Sequence, residues 1–464
     1  MSKEKVTIGN EPIYDATKLG TSKMIVLGIQ HMFAMFGATI LVPALTGLSV
    51  SATLLFAGLG TLLFHLITKR KVPAFLGSSF AFIGGYAAVA PMLGENHNIP
   101  NKEMLPYACF GVACAGLIYL ILAGLIKVFG SSKVMKYFPP IVTGPIIIAI
   151  GLSLSQSAIN SCSANWWIAL VAIVVIVVCN IWGKGMVKII PIILGVISSY
   201  VVAAICTAAG LITVENGGVD FQKIHDAAWI GLPVKFSDTV FSVFQNPDWA
   251  LLATAAITII PISLATIVEH IGDISAISST VGRNYIKDPG LHRTLLGDGL
   301  ATMVAALFGA PANTTYGENT GVLSLTKVYD PRVIRLAALF SMIFSFSPKI
   351  AAIIGCMPGA TTGGVSLVLY GMISAVGVRN VVENQVDFSK SRNVIIAALI
   401  LVLSIGITYS AAGAISFHVA GAQVSLSGLA VGSLVGILLN AILPGKDYVF
   451  ADDEPKDTGV NFEV

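Results

Sequence analysis

The chain has 464 residues, 55% of them hydrophobic and 11% charged, with a formal net charge of +3. A soluble domain carries roughly 25% charged residues, so this composition excludes a water-facing globular enzyme or regulator. The Lys and Arg residues form no cluster interleaved with aromatics, which argues against a nucleic-acid surface.

Apolar runs recur from one end to the other: Met24–Leu45, Ala108–Ile126, Trp166–Ile181, Ile190–Ala209, Leu251–Val268, Val394–Ile407 and Leu426–Leu443. Each is close to the roughly 20 residues that cross a hydrocarbon core as helix. Backbone groups in lipid must bond internally, which makes helices the natural solution. With shorter and interrupted candidates included, the pattern predicts an all-α polytopic membrane protein of about fourteen spans. The cations supply the orientation. With the N-terminus inside, most of them fall on cytoplasmic segments, including Lys69-Arg70-Lys71, Lys184, Lys188, Arg283, Lys287, Arg332 and Arg335. Lys102, Lys223, Lys235 and Lys349 fall on the other side. Residues 1–23 and 445–464 read as cytoplasmic tails, and residues 213–248 as an extracellular connector. The connector separates a first set of spans, residues 24–212, from a second, residues 249–444. The six cysteines show no CxxC spacing and read as small packing residues rather than a disulfide frame or metal site.

An odd number of spans per half starts the second half on the opposite side, so related halves form an inverted repeat. Pro73-Ala74-Phe75-Leu76-Gly77-Ser78-Ser79-Phe80 opens the third span of the first half. Pro311-Ala312-Asn313-Thr314-Thr315-Tyr316-Gly317-Glu318 opens its counterpart in the second. Both begin with Pro-Ala, run through small or β-branched residues and a Gly, then resume a helical apolar pattern. Each reads as a short extended segment followed by a half-helix. A half-helix that starts in mid-membrane turns unpaired N–H groups and the positive end of its dipole to the bilayer centre. Broken spans at matching positions point to a transporter's site.

Ionisable residues in the hydrocarbon region are costly and functional by default. Those singled out here are Glu269, His270 and Asp273, placed near the end of the eighth span, Glu318 at the tenth, and His31 and His65. Glu269 and Asp273 are four apart and share a helix face, so one of the two can carry a proton. His270 is adjacent to Glu269 and points elsewhere, a poor dyad for an enzyme. His65 reads as interfacial beside Lys69-Arg70-Lys71, His292 as a turn residue, and His31 as a brace. Carboxylates accept while half-helix amides donate. A planar ring alternating N–H with C=O matches that inventory, with Phe80 against its face; a cationic amine is the competing ligand. A channel would need a continuous polar ring that the spans do not supply.

The stretch Glu318-Asn319-Thr320-Gly321-Val322-Leu323-Ser324-Leu325-Thr326-Lys327 resembles the signature of the nucleobase–ascorbate transporter family, and Gln30-His31 resembles its first-span pair. The likeness runs through Leu76–Phe82 and Asn313–Asn319, blocks that look closest to bacterial uracil permeases. The resemblance implies two inverted seven-span repeats forming core and gate domains, with short antiparallel strands in spans 3 and 10. It implies proton symport without another cofactor (sodium is left open as the coupling ion), residence in the cytoplasmic membrane, and a homodimer. Carried over by position, Glu269 and Glu318 would bind uracil, with Phe80 against the ring and backbone contacts from Gly317, Glu318 and Ala38. Asn319 would bond His31, and Asp273 stands on the proton route. Uracil permeases of this type can carry His at that position, whereas purine transporters of the family carry Asp. Xanthine or another nucleobase is the alternative substrate.

Overall fold

The computed structural model describes every residue except 1–7, 9–10, 95–98, 215–216, 412, 420–421, 447 and 449–464. The side chains of residues 132, 135, 186, 189, 318, 325, 418–419 and 422–425 also lie outside the described set.

The first half runs α1 (Thr21–Thr46), α2 (Val50–Ile67), β1 (Leu76–Ser78), α3 (Ile83–Val89), α4 (Leu105–Phe129), α5 (Pro140–Ser163), α6 (Trp166–Trp182) and α7 (Pro191–Ala208). The second runs α8 (Trp249–Ile259), α9 (Ser263–Val281), α10 (Leu291–Leu307), β2 (Asn313–Thr315) and α11 (Gly317–Thr326). It ends with α12 (Pro331–Ser345), α13 (Pro348–Gly355), α14 (Gly359–Glu383), α15 (Ser391–Thr408), the hairpin β3 (Ala414–Val419) and β4 (Ala422–Ser427), and α16 (Gly428–Ile442). Among the described residues eight helices are long and apolar enough to cross a membrane, α8 and α9 counting as one. The pair α12 and α13, bent by 87°, makes a ninth.

Local chemistry sets the ends. Pro opens α5, α7, α12 and α13 at positions whose N–H has no helical acceptor. Asp248 caps α8 by accepting from the Ala250 and Leu251 amides, at 3.0 and 3.1 Å. Pro261 interrupts the α8–α9 run with a 3-10 turn, Ile260–Ile262. Large apolar side chains such as Trp167, Val128 and Ile442 stay exposed on the outer surface, as lipid contact requires. Between helices the packing is close: a Cβ on Gly377 of α14 would lie 2.6 Å from the Ile148 backbone nitrogen of α5. Small residues of this kind let membrane helices approach.

β1 and β2 are buried throughout and pair antiparallel, Leu76 opposite Thr315 and Ser78 opposite Asn313. A two-stranded ribbon leaves open edges, which a membrane interior penalises. Polar side chains from the surrounding helices fill them. Thr61 of α2 accepts from the Leu76 amide at 2.9 Å, and Thr302 of α10 donates to the Asn313 carbonyl at 2.8 Å. The Asn313 side chain donates to the Phe56 carbonyl at 3.0 Å. Tyr316 crosses over β1 and donates to the Ser78 carbonyl at 2.9 Å, while Ser78 donates to the Thr39 carbonyl of α1 at 3.0 Å.

His65 does not face water. It is buried, with Nε2 2.9 Å from the Ala74 carbonyl oxygen. The chain reverses through Lys69-Arg70-Lys71 and returns the segment before β1 onto α2, so His65 serves that segment instead of water.

Candidate functional site

Each half contributes a short strand followed by a short helix, and α9 runs beside the second pair. Residue Asp273 fixes that adjacency: its carboxylate accepts from Thr315 Oγ1 of β2 at 2.7 Å. Glu269 lies one turn earlier on the same face of α9 and is half-buried. The eighth span does not end near these residues. It continues two turns beyond Asp273 to Val281, closed by left-handed Gly282 at φ 69°. Both carboxylates therefore belong to the interior of the helix, away from its terminus.

The helix α11 begins at Gly317, and Tyr316 at its N-cap supplies no side-chain bond to the first amides. Those N–H groups have no intrahelical acceptor. Among the described residues, a Cβ built on Gly317 meets no atom within 4 Å beyond its chain neighbours. Glu318 is the second residue of α11; its side chain lies outside the described residues. Asn319 is buried, and its Nδ2 donates to the His31 carbonyl at 3.1 Å and lies 3.2 Å from His31 Nδ1. An acceptor role for Nδ1 puts the His31 proton on Nε2. These contacts lock the first turn of α11 against α1. Ala38 lies farther along α1, fully buried and next to Thr39.

Phe80 sits between β1 and α3 and is 5% exposed. Its ring meets Tyr370 of α14 edge to face, with centroids 5.8 Å apart. Tyr370 was not singled out by the sequence, because a Tyr in an apolar helix carries no marker of which neighbour it will face.

A second polar group lies behind Glu269. His270 and Asp298 of α10 are both 0% exposed, with Nδ1 2.9 Å from Oδ2. Tyr119 of α4 donates to Thr266 of α9 at 2.5 Å, one helical turn before His270. Asp298 is absent from the residues that sequence reading selects. An Asp inside Leu295–Leu307 is nonetheless the same signal that marks Glu269. His292, read as a turn residue, is the second residue of α10. The structure thus gives α9 two polar faces: one carries Glu269 and Asp273, with Asp273 bonded to Thr315 of β2, and the other turns His270 toward Asp298. The first face, the open amides of α11 and the Phe80 ring offer acceptors, donors and an apolar wall.

A family model described as "Permease family" matches residues 22–413. Curated relatives include the "Uracil permease" of Bacillus caldolyticus, 40% identical over 94% of this chain and 96% of the relative. The "Uracil permease" of Bacillus subtilis (strain 168) is 37% identical over the full length of both chains. Solved structures with the same fold include the transmembrane domain of the cyanobacterial bicarbonate transporter BicA, with TM-score 0.55, 13% identity, 84% of this chain and 97% of that one. The structure titled SLC26A9 matches with TM-score 0.61 and 14% identity, covering 92% of this chain and 66% of that one. The full-length relatives, the matched family model and the repeated apolar helices agree: this chain is an integral membrane transporter, not an enzyme, and belongs to the permease family, within the nucleobase–ascorbate transporters.

Proposed function

We propose that this chain takes up uracil across the cytoplasmic membrane by proton symport. The observation that carries the reading is the start of α11, where the N-cap side chain bonds none of the first amides, packed against α9, the helix that bears Glu269. Uracil presents ring N–H donors and carbonyl acceptors in one plane. Carboxylates of Glu269 and Glu318 would take the donors, and the amides of Gly317 and Glu318 would give to the carbonyls. Phe80 would cover the ring face, Ala38 would add a backbone contact, and Asn319 with His31 would hold α11 in register. The curated relatives named as uracil permeases support the choice of substrate. The proton route would run through Asp273, whose bond to Thr315 links α9 to the strand that precedes Glu318.

The same reading takes the helices as about fourteen spans in two inverted repeats, with core and gate domains. Residues 1–23 and 445–464 would be cytoplasmic, and the working unit a homodimer. The crossed pair β1 and β2 supports a repeat, because each strand precedes a short helix at a matching place in its half. Xanthine is the second reading, favoured by Asp273 at a position where uracil permeases can carry His.

Uptake of labelled uracil into cells lacking their own permease tests the proposal. Uracil should accumulate, excess xanthine should compete weakly, and a protonophore should abolish accumulation. Equal competition by xanthine would remove the uracil assignment, and accumulation indifferent to the protonophore would remove proton coupling.

A further inference from the structure

The amino-terminal segment before α1 is built into the two helices that carry the acidic residues. Ile13 forms a parallel bridge with Val328, just past the end of α11. The Ile13 amide donates to the Lys327 carbonyl at 2.8 Å, and the Tyr329 amide donates to the Ile13 carbonyl at 2.8 Å. Lys327 is the left-handed cap of α11, at φ 53°. On its other side the segment reaches α9: Tyr14 Oη donates to the Val281 carbonyl, the last residue of that helix, at 2.8 Å. The Arg283 guanidinium lies 4.1 Å from the Tyr14 ring centroid, and the Tyr329 ring lies 5.6 Å from it.

The segment is anchored independently of these bonds. Ile13, Ala16 and Leu19 are buried with Val328 and Val333 in a small apolar cluster. Asp330 is the N-cap of α12 and accepts from the Ala16 amide at 2.8 Å. Asp15 accepts from the Thr17 hydroxyl and amide and pairs with Arg332 at 2.9 Å. The Thr17 bonds hold the Asp15 carboxyl below the usual carboxylate range. A solvated tail would need none of this.

We propose that Ile13–Leu19 is a clasp and Tyr14 its positioning residue, fixing the end of α9 against the end of α11 and so setting how Glu269 stands relative to Glu318. α9 is continuous from Glu269 to the clasped Val281, and α11 runs unbroken from Glu318 to Thr326, the residue before the clasped Lys327, so a rotation or slide at the clasped ends is carried to the acidic residues. Tyr14 touches no part of the site itself; its effect is transmitted. The proposal rests on the reading of Glu269 and Glu318 as the substrate carboxylates.

The test uses full-length protein with Tyr14→Ala, Tyr14→Phe and a control lacking residues 2–9. Uracil affinity is read by calorimetry, KM and maximal rate by uptake, and clasp docking by hydrogen exchange over residues 275–283 and 320–330. Tyr14→Ala should weaken uracil binding about tenfold, and Tyr14→Phe, which keeps the ring stack but loses the Val281 bond, about threefold. KM should rise in parallel, and exchange at both helix ends should speed up. The control should match wild type in all three readouts. Wild-type affinity and exchange in Tyr14→Ala would overturn the clasp, and if that variant does not fold, the same result in Tyr14→Phe would do so. Failure of wild type to bind uracil would break the substrate reading instead, and exchange at the two helix ends would still decide the clasp.

Discussion

The segment of β1 with α3 and that of β2 with α11 are built alike and equipped differently. In the first, Phe80 and Phe82 are buried and α3, Ile83–Val89, contains no ionisable side chain other than Tyr86. In the second, Glu318 and Asn319 stand in the first turn of α11, and Thr315 of β2 reaches the Asp273 carboxylate. Their glycines differ in the same sense. A Cβ on Gly77 of β1 would lie 2.4 Å from the Tyr316 ring, whereas one on Gly317 would meet nothing. Backbone geometry is shared where the chain must cross itself. The carboxylate sits on the second arm, and in the proposed function the first arm supplies a wall and a scaffold.

The largest effect that would break this division is expected at Glu318. Glu318→Gln replaces an acceptor by donors and loses charge-assisted bonds of about 1.5–3 kcal/mol. Uracil affinity measured by calorimetry should therefore fall about 10- to 100-fold. Unchanged affinity would take the chemistry away from the second arm. Gly77→Ala comes next, on the scaffold side. Overpacking against Tyr316 should cost about 1–3 kcal/mol, read as an earlier thermal unfolding transition; an unshifted transition would mean that the crossing is loose. Thr61→Val removes the acceptor of the buried Leu76 amide and should cost about 1–2 kcal/mol in the same assay. Gly317→Ala should leave the transition in place and weaken uracil binding several-fold, because the added methyl occupies the space at the start of α11. Matched losses of stability and affinity would instead make Gly317 a packing residue. The smallest effect belongs to Gly84→Ala in α3, where a Cβ also meets nothing. The helix should gain about 0.5–1 kcal/mol and uptake should stay at the wild-type rate, so a loss of transport there would give the first arm a recognition role.

How much of this was legible in the sequence varies with the residue. Membrane residence follows from 11% charge and the repeated apolar runs. The interruption of two spans is written in Pro73 and Pro311 and in the small or β-branched residues after them, because these cannot sustain a helix. Glu269 and Asp273 mark themselves, since a carboxylate in an apolar run needs a reason to be there. Asp298 carries the same mark and is easily passed over beside the charged turn at residues 287–293. Three cations follow His65, yet its partner is the carbonyl of Ala74, nine residues later, which the local sequence does not announce. Tyr370 and Tyr14 carry no local signal, because their partners are hundreds of residues away.

By itself, then, the sequence determined the solvent, the helices and the places where they break, since these depend on composition and on neighbours within a few residues. It also named Glu269 and Glu318, the carboxylates on which the substrate reading turns. Which partners meet was decided only by the tertiary structure. The crossing of β1 and β2, the docking of Asn319 on His31 and the attachment of Tyr14 to Val281 each join residues more than 200 positions apart. A hydrogen bond is made at about 3 Å, and no periodicity along one helix fixes a distance to another.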